Sequence, residues 1–128
     1  MKNLFYVILL LFLFLLTRCS TYFVSVDSLQ DQMNKSLSEG KGYISSNSPQ
    51  GNNLTSLKCV DSKGQVQSIP VTYRTGVRIT KMDNSRTSFY VNTLLFKDSA
   101  IFGSKTHFFN AQIRPIKIDE IKKIEIIP

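Results

Sequence analysis

The pattern of hydrophobic and polar residues divides the chain into three parts. Residues 4–16 form an unbroken apolar run, LFYVILLLFLFLL, whereas residues 38–53 are rich in Ser, Gly, Asn and Pro, as is typical of a flexible connector. From Leu54 onward, apolar and polar residues alternate over short stretches, which predicts β-strands. We therefore predict a signal segment at 1–18, a tether with a short helix and a linker at 19–53, and a β domain at 54–128.

One short helix is predicted in the tether. Asp27 or Ser28 is a suitable N-cap, and Gly40 a suitable end. Apolar residues recur every fourth position to form one narrow stripe: Leu29, Met33 and Leu37. A stripe this thin favours a helix packed on the surface of the domain, although a free tether helix is also compatible with it.

The β domain is predicted to be mainly β, with five to seven short antiparallel strands. The candidate strands are residues 54–60, 66–73, 77–82, 87–96 and 100–102. The pattern of the tail at 116–127 predicts a strand, a tight helical turn and a second strand. Pro70 has no amide donor, so its strand should lie at a sheet edge or contain a bulge. Strands of this number form a small barrel or a strongly bent sheet, SH3-like or Sm-like by analogy.

The apolar run also has the features of an export signal. Lys2 precedes it, and its length fits the roughly 7–15 residues of a signal peptide rather than the roughly 20 of a spanning helix. The run is followed by Leu16-Thr17-Arg18-Cys19, which has the form of a lipobox and predicts lipid on Cys19. Because Arg18 stands where a small residue is usual, an uncleaved signal anchor and cleavage elsewhere stay open.

Three segments together resemble a known group of proteins. They are CSTYFVSVDSL at 19–29, KDS at 97–99, and PIKIDEIKKIEI at 115–126. In these segments the chain is similar to small uncharacterised lipoproteins of Bacteroidota-type bacteria. The resemblance implies an acylated Cys19 and an envelope location, and it implies no activity, ligand or catalytic residue.

The charge distribution bears on possible partners. The chain has 16 basic and 9 acidic residues, a formal net charge of +7, but the charges are interspersed rather than clustered. Aromatic and basic residues adjoin at Tyr73-Arg74, Phe89-Tyr90, 107–109 and Arg114, a pattern that suits a stacking platform but is better explained by strand alternation. Since an exported domain does not meet cytoplasmic nucleic acid, we predict no nucleic-acid partner.

Residues that could carry catalysis are few. His107 is the single histidine, and Asp119-Glu120 are adjacent carboxylates that do not converge on one site, with Asp119 better placed to cap a turn. Cys59 lies in an apolar run and should be a buried structural thiol. We therefore predict no catalytic residue, metal or cofactor; a pocket joining His107 to an acidic side chain would revive an enzymatic function.

These observations lead to one expected function with alternatives. We expect a non-enzymatic lipoprotein of the bacterial cell envelope, anchored through Cys19 or the N-terminal segment, with its domain outside the cytoplasm. It would bind a protein partner or serve a membrane assembly through the edge near Pro70 or the Phe108-Phe109 loop. The alternatives are a small ligand- or glycan-binding module and a signal-anchored protein without lipid.

Overall fold

The computed structural model describes residues 1–15, 20–38, 51–107 and 111–128, without the side chains of residues 13–15, 37 and 38. The predictions for Arg18, Cys19, the helix end at Gly40, residues 39–50 of the linker and Phe108-Phe109 lie outside the described residues. In chain order the elements are α1 (Lys2–Leu15), β1 (Tyr22–Phe23), α2 (Val26–Ser38), β2 (Ser56–Val60), β3 (Val66–Pro70), β4 (Gly76–Lys81), β5 (Arg86–Tyr90), β6 (Leu95–Lys97), β7 (Ala100–Phe102), β8 (Ile116–Lys117) and β9 (Ile121–Ile127). Two 3₁₀ turns, Val91–Thr93 and Ile118–Glu120, precede β6 and β9.

Helix α1 covers most of the apolar run at residues 4–16. Its 14 residues carry no charge other than that of Lys2, and the described side chains from Met1 to Phe12 are all exposed. Within the described parts of the chain, no helix is both long enough and apolar enough to cross a membrane.

The mainly β, antiparallel architecture is confirmed, but the described strands do not close into a barrel. Six strands form one sheet in the order β3-β2-β1-β9-β4-β5, and three form a second in the order β6-β7-β8. The predicted long strand at 87–96 is wrong, because the chain turns at Val91–Thr93 and then joins the second sheet. That turn is held by Thr93, whose hydroxyl donates to the carbonyl of Tyr90 at 2.7 Å.

The hydrophobic core lies between the inner face of the larger sheet, α2 and the smaller sheet. Strand β2 contributes alternate residues, Leu57 and Cys59, as expected for a strand with one buried face. Helix α2 contributes Leu29 and Met33, both almost fully buried, so the predicted packing of this helix on the domain is confirmed. Its N-terminus is capped by Ser25, whose hydroxyl accepts from the amide of Ser28, rather than by Asp27 or Ser28.

Local turn chemistry explains the β2–β3 hairpin. The Asp61 carboxylate accepts from the amides of Lys63 and Gln65, each at 2.9 Å, and Gly64 adopts a positive φ of 81° that favours glycine. In the tail, the predicted order of strand, helical turn and strand is confirmed, but no side chain caps the turn at Ile118–Glu120. The predicted cap at Asp119 is therefore wrong.

Candidate binding surface

Strand β3 forms one edge of the larger sheet, which confirms the edge position predicted from Pro70. Its pairing with β2 is flanked by two backbone bonds, from Asp61 N to Gln65 O and from Val71 N to Thr55 O, both 2.9 Å. Antiparallel ladders alternate between residues that bond the neighbour and residues that face away. By this alternation, the backbone groups of Val66, Ser68 and Pro70 face away from β2.

The open edge has a particular set of hydrogen-bonding groups. Pro70 has no N–H, and its carbonyl accepts from the Thr75 hydroxyl at 3.4 Å, so one end of the edge is blocked. The amides and carbonyls of Val66 and Ser68 face outward with no strand beside them among the described residues. No residue from Gln65 to Pro70 is charged, so the edge lacks the charges that usually protect exposed strands.

The other edge strand, β5, is better protected. Its residue Tyr90 donates its amide to the carbonyl of Ser104 at 3.2 Å, and Arg86 places a charge at its start. By the same alternation, Tyr90 is one of the residues that face away from β4. The two edges of the sheet are therefore unequal, and β3 is the more open one.

An apolar row crosses the outer face of the sheet from this edge. Val66 pairs with Val60 and Val60 with Phe23, so their side chains lie side by side on one face. Val66 is 70% exposed and Val60 is 38% exposed. The row ends at Glu125, which pairs with Phe23 on the next strand.

Glu125 is a buried carboxylate in the middle of the outer face. It accepts from Lys123 Nζ at 2.7 Å and from Arg78 Nη2, its cross-strand neighbour on β4. The hydrogen bonds from Lys123 and then Arg78 hold the pKa of Glu125 below its ordinary value. This cluster was not predicted, because Glu125 lies between Ile124 and Ile126 in β9, and in an alternating strand such a polar position is expected to face solvent.

A second cluster joins aromatic and basic side chains near the start of β4. The His107 ring stacks on Tyr90 with 4.1 Å between centroids, and its Nε2 lies 2.6 Å from the carbonyl oxygen of Tyr73. Arg74 lies over the Tyr73 ring at 5.4 Å and donates its Nε–H to the Tyr73 hydroxyl. The structure thus brings together part of the aromatic and basic pattern, but the contacts described for His107 include no carboxylate that would make it an acid–base pair.

A polar groove of about 860 Å³ lies between α2 and β2. Because β1 is only two residues long, it pairs with β2 at Val60 alone and leaves the backbone of Lys58 without a strand on that side. The Gln32 amide takes the strand's place: it accepts from Lys58 N at 2.8 Å and donates to Lys58 O at 3.1 Å. Ser28, Asn53 and Ser56 also line the groove.

The remaining candidate residues are Cys59 and the adjacent carboxylates Asp119 and Glu120. Cys59 is buried as predicted, and burial raises the pKa of its thiol to about 11, so the reactive thiolate is scarce at neutral pH. Asp119 and Glu120 are exposed on their turn. Within the described residues, no three His, Cys, Asp or Glu side chains are grouped so that they could hold a metal ion.

Comparison with known proteins adds no relative. No protein-family model, curated protein or solved structure matches this chain.

Proposed function

We propose that this chain is a membrane-anchored protein of the bacterial cell envelope that binds an extended segment of a partner protein along β3, without enzymatic activity. The observation that carries the proposal is the open edge of β3, where Val66 and Ser68 present two amides and two carbonyls outward. An extended peptide can bond to such an edge as an additional strand. Alternate side chains of that peptide would then lie beside Val66, so the partner should present apolar residues at every second position.

The contact between Thr75 and Pro70 bears on which end of this edge a partner can reach. In a flat sheet, β3 and β4 would be separated by the three strands between them, yet Thr75, immediately before β4, bonds to the last residue of β3. This contact supports our proposal that the larger sheet is strongly bent, as we expect of SH3-like folds. The contact blocks the Pro70 end of the edge and leaves the Val66 end open.

The partner-binding edge can be tested with two substitutions at one residue. Ser68→Pro removes an amide that faces outward and takes no part in the β2–β3 ladder, so the hairpin should tolerate it. Ser68→Ala keeps the amide and serves as the matched control. After crosslinking in cells, we expect the full chain and Ser68→Ala to recover the same partner and Ser68→Pro to lose it.

The result that contradicts edge binding is equal recovery by both variants when Ser68→Pro is shown to fold by circular dichroism. Mass analysis of the crosslinked product distinguishes the partners, because a product of twice the chain's own mass identifies a second copy. If this product alone were recovered, the partner bound along β3 would be a second copy of the chain rather than a different protein.

Membrane anchoring rests on the apolar leader and on Cys19, as predicted from sequence. Mass spectrometry of the membrane fraction should detect an acylated N-terminal peptide beginning at Cys19 and no such peptide from Cys19→Ala. An intact peptide beginning at Met1 would contradict lipid attachment and favour the signal anchor instead.

The groove between α2 and β2 favours a second candidate function, the binding of a small polar ligand such as a glycan. Hydroxyl, amide and charged groups line it, including the ion pair of Lys35 with Asp31 at 3.1 Å. Side chains of this kind suit a sugar, whose hydroxyls need several hydrogen-bond partners. Calorimetric titration of the full chain with envelope glycan fragments would show binding that Asn53→Ala weakens; no heat of binding would exclude the glycans tested.

A further inference from the structure

The chain enters the larger sheet at one defined end. β1 runs antiparallel to β9, and Tyr22 pairs with Ile126 near the last residues of β9. On the other side of β9, Gly76 at the start of β4 pairs with Ile127. We call this the entry end of the sheet, defined by Tyr22, Gly76, Tyr90 and Ile127. At the opposite end, which we call the turn end, the amide of Met82 bonds to the carbonyl of Glu120.

Chain length limits how far the entry end can stand from a membrane anchor. Cys19 is three residues before Tyr22, and three residues of chain span at most about 11 Å in any conformation. For an uncleaved leader, Leu16 is the last apolar residue and lies six residues before Tyr22, a limit of about 21 Å. The turn end lies farther away by the length of β9, about 20 Å at 3.3 Å per residue.

The side chains at the entry end suit a lipid surface. Tyr73 and Ile127 are 62% and 43% exposed, and Tyr73 lies three residues before Gly76. Tyrosine is favoured at membrane interfaces because its ring is apolar and its hydroxyl polar. Beside it, the Arg74 guanidinium lies over the ring at 5.4 Å and provides a cation for lipid phosphates.

We infer that the entry end, through Tyr73, Arg74 and Ile127, contacts the surface of the bilayer that holds the N-terminal anchor. This inference rests on the proposed anchoring and adds an orientation to it. The strands of β4 and β9 then rise away from the membrane, and the turn with Met82 points into the surrounding space. Through the pairing of Val66 with Val60, Val60 with Phe23 and Phe23 with Glu125, the open end of the β3 edge lies toward the bilayer, and Ser68 lies farther from it.

The absence of tryptophan from the chain allows a direct test. Tyr73→Trp places a single fluorescent reporter at the entry end, and Met82→Trp places one at the turn end. The two positions are matched, because each native side chain is 62% exposed. The full chain of each variant is taken from the membrane fraction and reconstituted into vesicles of phosphatidylcholine and phosphatidylglycerol containing lipids brominated close to the headgroup.

Bromine quenches tryptophan only at short range, so quenching reports contact with the bilayer. We expect the Tyr73→Trp reporter to be quenched several-fold more strongly than the Met82→Trp reporter. Equal quenching, or stronger quenching at Met82→Trp, would overturn the orientation. Matching circular dichroism spectra of the two variants and the unchanged chain establish that both reporters are in the native fold.

Flotation of the vesicles separates failure of this inference from failure of the proposed anchoring. If both variants float with the vesicles but neither reporter is quenched, the anchoring stands and the inferred contact is refuted. If the protein does not float, the anchoring itself is refuted, and the orientation with it.

Discussion

Replacing the buried Glu125 by glutamine removes the negative charge with which both Lys123 and Arg78 pair, but keeps the size of the side chain. Removing one partner of a buried ion pair costs about 3–5 kcal/mol, because the other charge is left without compensation. Here the side chains of Arg78 and Lys123 are 35% and 44% exposed and can turn toward water. Because solvent screens both partners, we expect Glu125→Gln to lower the free energy of unfolding by only about 2–3 kcal/mol.

Urea unfolding followed by circular dichroism measures this loss in the detergent-solubilised full chain. In a domain of this size, each 1 kcal/mol lowers the melting temperature by about 4–8 °C, so thermal unfolding provides an independent reading. Glu120→Gln is the matched control, because Glu120 is an exposed carboxylate one residue before β9. A loss for Glu125→Gln below about 0.5 kcal/mol, the size typical of a surface substitution, would refute the structural role of the cluster.

The pH dependence of the difference in unfolding free energy between the unchanged chain and Glu125→Gln tests whether the lost charge causes that difference. Folding lowers the pKa of Glu125 below its ordinary value of 4.5, so the folded state favours the ionised carboxylate. The stabilisation is fully present above the unfolded pKa and is lost as the pH falls through the folded pKa. We therefore expect a constant difference between the unchanged chain and Glu125→Gln near neutral pH, and a shrinking difference below about pH 4.5. A difference that stays constant into acid would show that lost packing, rather than lost charge, causes the effect.

Two further experiments test the packing of the core. A Cβ added at Gly103 would collide with the buried ring of Phe89, so Gly103→Ala should lower the free energy of unfolding in urea by about 1–3 kcal/mol. In the control Gly76→Ala, the added Cβ meets its nearest atom at 3.7 Å, and the free energy of unfolding should change little. Equal effects of the two substitutions would contradict the described contact between Gly103 and Phe89. Burial raises the pKa of the Cys59 thiol to about 11. In the Cys19→Ala chain, Cys59 should therefore resist a thiol reagent at pH 8 while the chain is folded and react once it unfolds. Rapid reaction in the folded chain would show that the thiol is accessible.

Much of the local structure could be predicted from the sequence. The β2–β3 hairpin follows from the side-chain hydrogen bonds of Asp61 and the conformational freedom of Gly64, both of which act within a few residues. The position of β3 at an edge follows from Pro70, since a missing amide can be tolerated only where no neighbouring strand needs it. The burial of Cys59 follows from its alternating strand neighbours. Each of these predictions depends on residues that are close to one another in the sequence.

The errors and omissions involve contacts between residues distant in the chain. The strand predicted at 87–96 is interrupted because Thr93 also accepts a hydrogen bond from the amide of Ser104, eleven residues away. The insertion of β1 between β2 and β9 was not predicted, since a strand of two residues has too little pattern to indicate a neighbour. Cys19 lies outside the described residues, so its lipid stays a prediction.

The candidate binding surface combines both kinds of information. Sequence by itself determined the apolar run near the N-terminus, most of the strand-forming segments and the proline that marks the edge, because composition and alternation are properties of neighbouring residues. Only the tertiary structure decided that Glu125 meets Arg78, that Tyr73 and Tyr90 contact one histidine, and that the chain enters the sheet three residues after Cys19. Those features depend on which strands pair and in what register, and pairing is a choice among distant segments that local pattern does not specify.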